Sequence, residues 1–542
     1  MTPGITGRIA RTAAARPWLT IGIWVVALAA AIYAAGGLGD ALTQEERMLI
    51  EVEAQVADDL DQDLRGTTDA EVVETIVVEA ADARFGDADF AAALDAIASG
   101  LGSVDGVTGV TVPTAEAPFP VADDGATALV SVTIAPDDDG VVAEALMEAT
   151  DSAEAAGFTL RNIGPATGEA AFDTLAEESL IRGEAIGIGV ALVILVVVFG
   201  ALVAAGIPLL VAIVSIIMAV GATAIVGQAF ELSFFVVNMI TMMGLALGID
   251  YSLIMVQRFR EELAHGRSVT DAVTVAGSTA NRAVLFSGVT VVISLVGLLI
   301  VPSTIMRSLG AGAIVVAIMS VIAALTLLPA VLRLLGHRVN KGRVPTAHPG
   351  REPRVWRAMA NAVIRRPAMW AVAGVAILAV LAAPAASMRL TFPGIEALPE
   401  DNDFRLATET IVSDFGQGQA ETLVVVEDAG GARAAVEALA ERIEADEAFA
   451  ETALSWEGDT AFIDTRDVHD SADPAAERAI ERLRDDVVPA ALDGTAAVAH
   501  VGGDQADSVD FSQMIRDMAP WVLLIVLGSS FILLLGAFRS VV

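Results

Sequence analysis

Eight runs of about twenty apolar residues punctuate this chain, and no other feature narrows its fold as far. A bilayer core of about 30 Å needs about 20 such residues as a helix. The runs are 18–35, 186–204, 207–230, 234–256, 283–301, 309–332, 368–386 and 521–538. The gaps between the second and the sixth are short, which predicts one bundle of five helices. Charge is kept apart from them. Of the 69 Asp and Glu, about 32 lie in residues 39–182 and about 30 in 387–518, and carboxylates at that density do not sit in lipid. The segregation predicts a polytopic α-helical membrane protein with two large domains outside the bilayer.

The placement of Arg orients the spans. Arg8, Arg11 and Arg16 precede the first; Arg258, Arg260 and Arg267 follow the fourth; residues 333–366 hold about nine basic residues against one acid, Glu352. If every span crosses once, all three clusters fall on one side, which is then cytoplasmic. Both acidic segments fall on the other. The plan is residues 1–38 for a cytoplasmic N-terminus and first span, 39–182 for the first extracytoplasmic domain and 183–335 for spans two to six. A basic linker at 336–366, a seventh span at 367–386, a second extracytoplasmic domain at 387–518 and an eighth span at 519–542 follow. The expected location is the cell membrane.

Several function classes drop out. The 542 residues contain no Cys, five His without ligand spacing, and one Lys, Lys341, outside any Gly-x-x-x-x-Gly-Lys-Ser/Thr loop. Thiolate chemistry, disulfides and Cys-based metal sites are excluded, and so is a nucleotide loop of the chain's own. No nucleophile–base constellation marks an enzyme, and no cofactor or metal is implied. A net charge of −37 opposes nucleic acid, and membrane topology explains the short basic linker.

The architecture repeats. Ala15-Arg16-Pro17-Trp18 leads into the first span and Arg365-Arg366-Pro367-Ala368 into the seventh. Each of these spans is followed by an acidic domain that ends at another span. The exits match as well: Ile163-Gly164-Pro165 resembles Val501-Gly502-Gly503, and Phe199-Gly200-Ala201 resembles Leu535-Gly536-Ala537. A repeat of this length means duplication. The first copy continues into four more spans, whereas Val542 follows soon after Ala537. The expectation is a chain truncated within its second repeat, to be completed by a missing C-terminal half or by a homo-oligomer.

Periodicity makes both outer domains α+β. The first reads as strand 75–79, helix 90–99, strands 104–112 and 128–135, helix 141–156 and strand 158–163. The second reads as strand 422–427, helix 432–445, strands 452–456 and 461–465, helix 475–492 and strand 496–501. That order, β-α-β-β-α-β, is the ferredoxin-like split βαβ arrangement. Extra helices at 45–64 and 404–415 lead the two domains. The acid runs Asp58-Asp59, Asp137-Asp138-Asp139 and Asp485-Asp486 read as solvated faces.

One acid stands inside a span. Asp250 lies in the fourth, eight residues before Arg258, or about 12 Å along a helix. An ionised carboxylate there costs several kcal/mol unless it is paired or hydrated, so an intramembrane acid is by default a functional residue. Tyr251 supplies a hydroxyl beside it, while Ser252 is expected to point elsewhere. Gly244 and Gly248 form a small-xxx-small ridge for close helix packing, flanking the acid. Ser287 and Thr290 of the fifth span are candidate relay neighbours, with Arg282 at the cytoplasmic rim. Asn238 and Thr241 read as hydrogen-bonding glue, and Glu184 and Glu231 as interfacial.

Gly248-Ile249-Asp250-Tyr251 followed by Arg258-Phe259-Arg260-Glu261-Glu262 resembles the MMPL (mycobacterial membrane protein large) branch of the resistance–nodulation–division superfamily. Residues 282–290 and 325–330 are similar to that family's fifth and sixth spans, and the likeness runs through essentially the whole chain. The resemblance implies a proton-motive-force-driven exporter of lipids or other hydrophobic molecules, with the outer domains as porter domains and Asp250 and Tyr251 carrying protons. It also implies twelve spans, a second Asp-Tyr pair in span ten, and a sterol-sensing-domain-like bundle in spans two to six. Two other functions fit the same plan: a SecD/SecF-like accessory to protein secretion, and a non-transporting membrane protein of the sterol-sensing type.

Overall fold

The computed structural model describes residues 4–39, 42–43, 47–65, 72–114, 120–135, 139–153, 157–342, 354–388, 395, 398–415, 421–469 and 473–538. The chain forms two compact units. One comprises Met1–Ile50, Leu180–Arg389 and Ile515–Val542; the other comprises Glu51–Ser179 and Leu390–Met514.

The first unit is helical. Eight helices among the described residues are long and apolar enough to cross a membrane. They begin with Pro17–Ala35, where Pro takes the first helical turn and needs no N–H partner. Ahead of it, Ile5–Ala15 packs its small face (Ala10, Ala13, Ala14) into the bundle. Of the boundaries that differ from the apolar pattern, three have a clear local reason. The second span ends at Phe199 rather than at 204, because Gly200 turns into the left-handed region at φ 60° and the third helix, Leu202–Gly227, starts at once. The fifth helix, Val269–Leu295, begins fourteen residues before 283, where Ser268 caps it by accepting from the Asp271 N–H. The sixth span breaks at Thr326 into Thr304–Leu325 and Leu327–Leu335. There Trp24 of the first span donates to the Thr326 hydroxyl at 3.1 Å.

The second unit holds two four-stranded antiparallel sheets. The first is built from β1 (Val72–Ala80), β2 (Val107–Thr111), β3 (Thr127–Ile134) and β4 (Phe158–Ile163), in the order β2-β3-β1-β4. The second is built from β5 (Glu421–Glu427), β6 (Phe449–Glu457), β7 (Thr460–Asp467) and β8 (Val498–Gly502), in the order β8-β5-β7-β6. The orders are the same, and both are ferredoxin-like. Helices Ala88–Leu101 and Asp139–Ala153 cover the first sheet through Phe90, Ile97 and Leu146, all buried against Ile76, Val130 and Val132. Each sheet's last strand is followed by a 35-residue helix, Pro165–Phe199 and Asp504–Phe538. At about 1.5 Å per residue each is about 50 Å long, well beyond one bilayer core.

The two leading helices do not cap their own sheets: they are exchanged. Helix Glu53–Arg65 lies on the second sheet, with Ala57 and Leu60 packed on Leu423, Val425 and Phe462. Its Arg65 makes a bidentate pair with Asp464 at 2.8 and 2.9 Å, its guanidinium 4.5 Å from the Phe462 ring. Helix Asp403–Phe415 lies on the first sheet, with Ala407 and Ile411 packed on Val77, Leu129 and Ile163. Thr410 there donates to Glu79 at 2.6 Å, and Arg161 pairs with the same carboxylate at 2.7 Å. A hydrophobic pattern shows that a helix has a buried face but not which sheet it faces. The first of these helices starts at Glu53; residues 44–46, part of the expected start, lie outside the described residues. So do Asp137 and Asp138 of one acid run and residues 343–353 of the basic linker.

Candidate functional site

The fourth span is the helix Phe235–Ala264. Its glycines fix which way it faces. A Cβ on Gly248 would stand 2.5 Å from Ala212 Cα of the third span. A Cβ on Gly244 would run into Ile216 and come within 3.0 Å of Val316 in the sixth. The backbones therefore meet at van der Waals distance, which small residues alone permit. Away from this ridge, Met242, Ala246, Asp250 and Ile254 recur every four residues and form one exposed stripe. Asp250 stands in the middle of that stripe, uncovered by the described helices.

Tyr251 is placed differently from expectation. Successive helical residues diverge by about 100°, and this carries the Tyr251 ring inward, 1% exposed, among Val284, Val321, Ala324 and Leu325. Its hydroxyl lies beside Ser287 and 3.6 Å from where a Cβ on Gly288 would be. Ser252 also turns inward and is fully buried, whereas Asp250 is exposed. Of the two proposed neighbours, the structure brings Ser287 to Tyr251. Thr290 donates to the Phe286 carbonyl of its own helix at 2.9 Å. Thr241 likewise donates to the Asn238 carbonyl at 2.9 Å, and Arg282 stacks 5.7 Å from the Phe286 ring.

The charged motif after Asp250 locks the helix end. Glu262 is 3% exposed and is held by Arg258 at 2.7 Å and Arg267 at 2.5 Å. Arg260 donates to the Phe199 carbonyl at 2.9 Å and to Asn340 at 2.8 Å. These pairs tie the basic end of the fourth span to the ends of the second and sixth.

Sequence reasoning missed the buried carboxylates of the outer unit. Glu74 on β1 is fully buried and accepts from the Ala166 N–H at 2.8 Å and from Thr167. It thus sits at the positive end of helix Pro165–Phe199. Gly164 leaves the room, since a Cβ there would strike the Glu74 carboxylate. Asp58, on the exchanged helix, does the same for the second copy by accepting from the Gly503 N–H at 3.1 Å, directly above Gly502. The glycine shared by the two repeat exits is therefore a seat for a carboxylate. A Glu inside a run of strand-forming Val, as in Val72-Val73-Glu74-Thr75-Ile76, was the available signal.

Two further carboxyls are held in proton-binding surroundings. Burial pushes Asp467 up to about 7 despite hydrogen bonds from Thr422 at 2.9 and 3.1 Å. Burial, then the charges of Asp58, Asp504 and Asp510, pushes Asp507 up to about 7. A carboxyl that is a weaker acid folded than unfolded binds its proton more tightly in the fold. Its contribution is complete below about pH 4 and is lost as the pH rises through about 7. For Asp467 this is on the order of 4 kcal/mol. Thermal unfolding of the outer unit is therefore expected to shift down between about pH 5 and pH 8, with Asp467→Asn flattening the shift and raising Tm at about pH 8. Parallel curves for the two proteins would contradict this. Among the described residues no three or more His, Cys, Asp or Glu are grouped to hold a metal ion.

Comparison with known proteins fits this arrangement. The sequence model of the MMPL family matches residues 50–370. A membrane protein of Streptomyces coelicolor is 35% identical over 98% of this chain and 74% of its own length. The mycolic acid-containing lipids exporter MmpL11 of Mycolicibacterium smegmatis is 32% identical over 65% of the chain and 38% of its own length. The trehalose monomycolate exporter MmpL3 of Mycobacterium tuberculosis is 30% identical over 50% and 32%. The chain thus spans about three quarters of the first relative and about a third of the two exporters. With eight apolar helices and two ferredoxin-like sheets of identical strand order among its described residues, and a family match over more than half its length, this chain belongs to the MMPL family of membrane transporters.

Proposed function

We propose that the chain works as a proton-motive-force-driven secondary transporter that exports lipids or other hydrophobic molecules, with Asp250 as the proton carrier and Tyr251 as its inward neighbour. The observation that carries this reading is the position of Asp250, an uncovered carboxyl halfway along an apolar helix whose opposite face is sealed by Gly244 and Gly248. A charge facing lipid is stable only if a proton, water or a partner surface answers it. Taking up and releasing a proton changes what the stripe Met242–Ala246–Asp250–Ile254 prefers to face, and so biases two arrangements of the bundle. The surface that covers the stripe belongs to a further stretch of the protein or to a second copy. Movement of a span would reach the outer unit along the 35-residue helices that follow β4 and β8.

The cargo class follows the two relatives named as lipid exporters, rather than protein secretion or sterol sensing. A lipid cargo would enter from the outer leaflet or among the outer sheets. Efflux of a fluorescent lipid, read as its accumulation inside everted vesicles, tests the energy source. Efflux is expected to collapse when a protonophore dissipates an imposed pH gradient and to persist when ATP is removed with the gradient kept. Efflux that survives the protonophore and stops without ATP would refute the proposal.

A further inference from the structure

Burial leaves a few polar side chains of the bundle without protein partners. Asn281 of the fifth span is fully buried, and neither its Nδ2 nor its Oδ1 meets a hydrogen-bond partner. Ser252 of the fourth span and Ser320 of the sixth are also fully buried and unpaired. Other hydroxyls in these helices bond back to their own carbonyls, as Ser215 does to Val211 and Thr274 to Thr270, both at 2.8 Å. A carboxamide has no such recourse at both ends. In a low-dielectric interior an amide with donor and acceptor both unanswered is strongly disfavoured, and buried water is what ordinarily answers it.

Its neighbours place Asn281 on a route. The Tyr251 ring packs on Val284 of the fifth span, with its hydroxyl by Gly288. Asn281 precedes Val284 by three residues, one turn nearer the basic end of that helix. Asn281 Nδ2 lies 3.8 Å from where a Cβ on Gly277 would be, and Ala10 of helix Ile5–Ala15 closes over that same point. Ile9 of that helix packs against the cluster around Tyr251. The amide thus lies beneath the N-terminal helix, between Tyr251 and the basic side of the bundle.

We propose that Asn281 is a positioning residue that holds an internal water on the proton's way between Tyr251 and the cytoplasm, beneath helix Ile5–Ala15. This rests on the reading of Asp250 as proton carrier. The carboxamide donates one hydrogen bond and accepts another, so it fixes the water's oxygen and one of its hydrogens. A proton arriving from the Tyr251 side forms a new O–H bond on that water. The O–H bond on the far side breaks, and its proton passes to the next water towards the cytoplasm. Asn281 stays neutral throughout.

The test uses the full chain in proteoliposomes. A pH jump is applied to one side at a time, and protonation of Asp250 is followed by the infrared carboxyl band that vanishes in Asp250→Asn. Asn281→Leu, close in shape and without polar atoms, is expected to slow equilibration with the basic side about 10²-fold and to leave equilibration with the opposite side unchanged. Asn281→Ser is expected to restore most of the rate. Asn281→Val gives the same comparison should leucine disturb insertion. A wild-type rate in the apolar variants, with the Asp250 band intact, overturns the role of Asn281 and leaves that of Asp250 standing; a packing role alone predicts that outcome with a raised Tm. Absence of any titrating band assignable to Asp250 overturns both.

Discussion

Asp250→Asn is expected to lower proton-coupled export at least about 10²-fold while the protein still inserts and its outer unit still folds. Asparagine keeps the size and polarity of the side chain but takes and gives no proton at physiological pH. The exposed stripe keeps its shape, and the Gly244–Gly248 ridge on the other face is untouched. A change of fold therefore does not explain the loss. Asp250→Glu keeps the ionisable group on a longer stem and is expected to retain part of the activity. Export is measured in everted vesicles at matched expression. Undiminished export by Asp250→Asn would leave this residue without a part in coupling.

The second large effect belongs to packing. Gly248→Val is expected to abolish assembly of the bundle, because the new Cβ meets Ala212 Cα at 2.5 Å and its Cβ at 2.7 Å. Backbone cannot retreat as a side-chain tip can, so the third and fourth helices must separate. Overpacking of a well-filled interior already costs about 1–3 kcal/mol where side chains can yield, and here they cannot. Gly244→Ala presses chiefly on the side chains of Ile216 and Val316, and is expected to be milder. Thermal stability in detergent ranks the two. A Gly244→Ala variant less stable than Gly248→Val would contradict the contact geometry.

Much of the fold was legible because lipid and water impose different rules on a sequence. Runs of apolar residues marked each of the eight long apolar helices among the described residues, and alternation with turn residues marked both β-α-β-β-α-β domains. Details that depend on one residue's backbone or on distant neighbours were not legible. Gly200 ends the second span early through a φ of 60°, although the apolar run continues to 204. Ser268 starts the fifth helix inside what reads as a polar loop. The exchange of helices Glu53–Arg65 and Asp403–Phe415 is a choice between two sheets of the same shape, decided by partners such as Asp464 and Glu79 far along the chain.

The candidate site divides in the same way. Asp250 was visible as an acid in an apolar run, and Gly244 and Gly248 as a packing ridge. The separation of Asp250 from Tyr251 was not, since adjacency in sequence says little about adjacency across a helix surface. Asp58 was read with Asp59 as part of a solvated face, Glu74 stood out only as an acid within a valine-rich strand, and nothing in the sequence set Asp467 apart. Their partners and burial, full for Glu74 and Asp467 and partial for Asp58, are properties of the assembled sheets.

The measurement that bears most directly on the part given to Asp250 is proton flux. The full chain and its Asp250→Asn variant are reconstituted side by side under an imposed pH gradient, with an entrapped pH dye reporting proton movement in the presence of lipid cargo. The expected result is cargo-dependent flux in the wild type and a fall to the passive leak of the bilayer in Asp250→Asn. Equal cargo-dependent fluxes from the two proteins would contradict it.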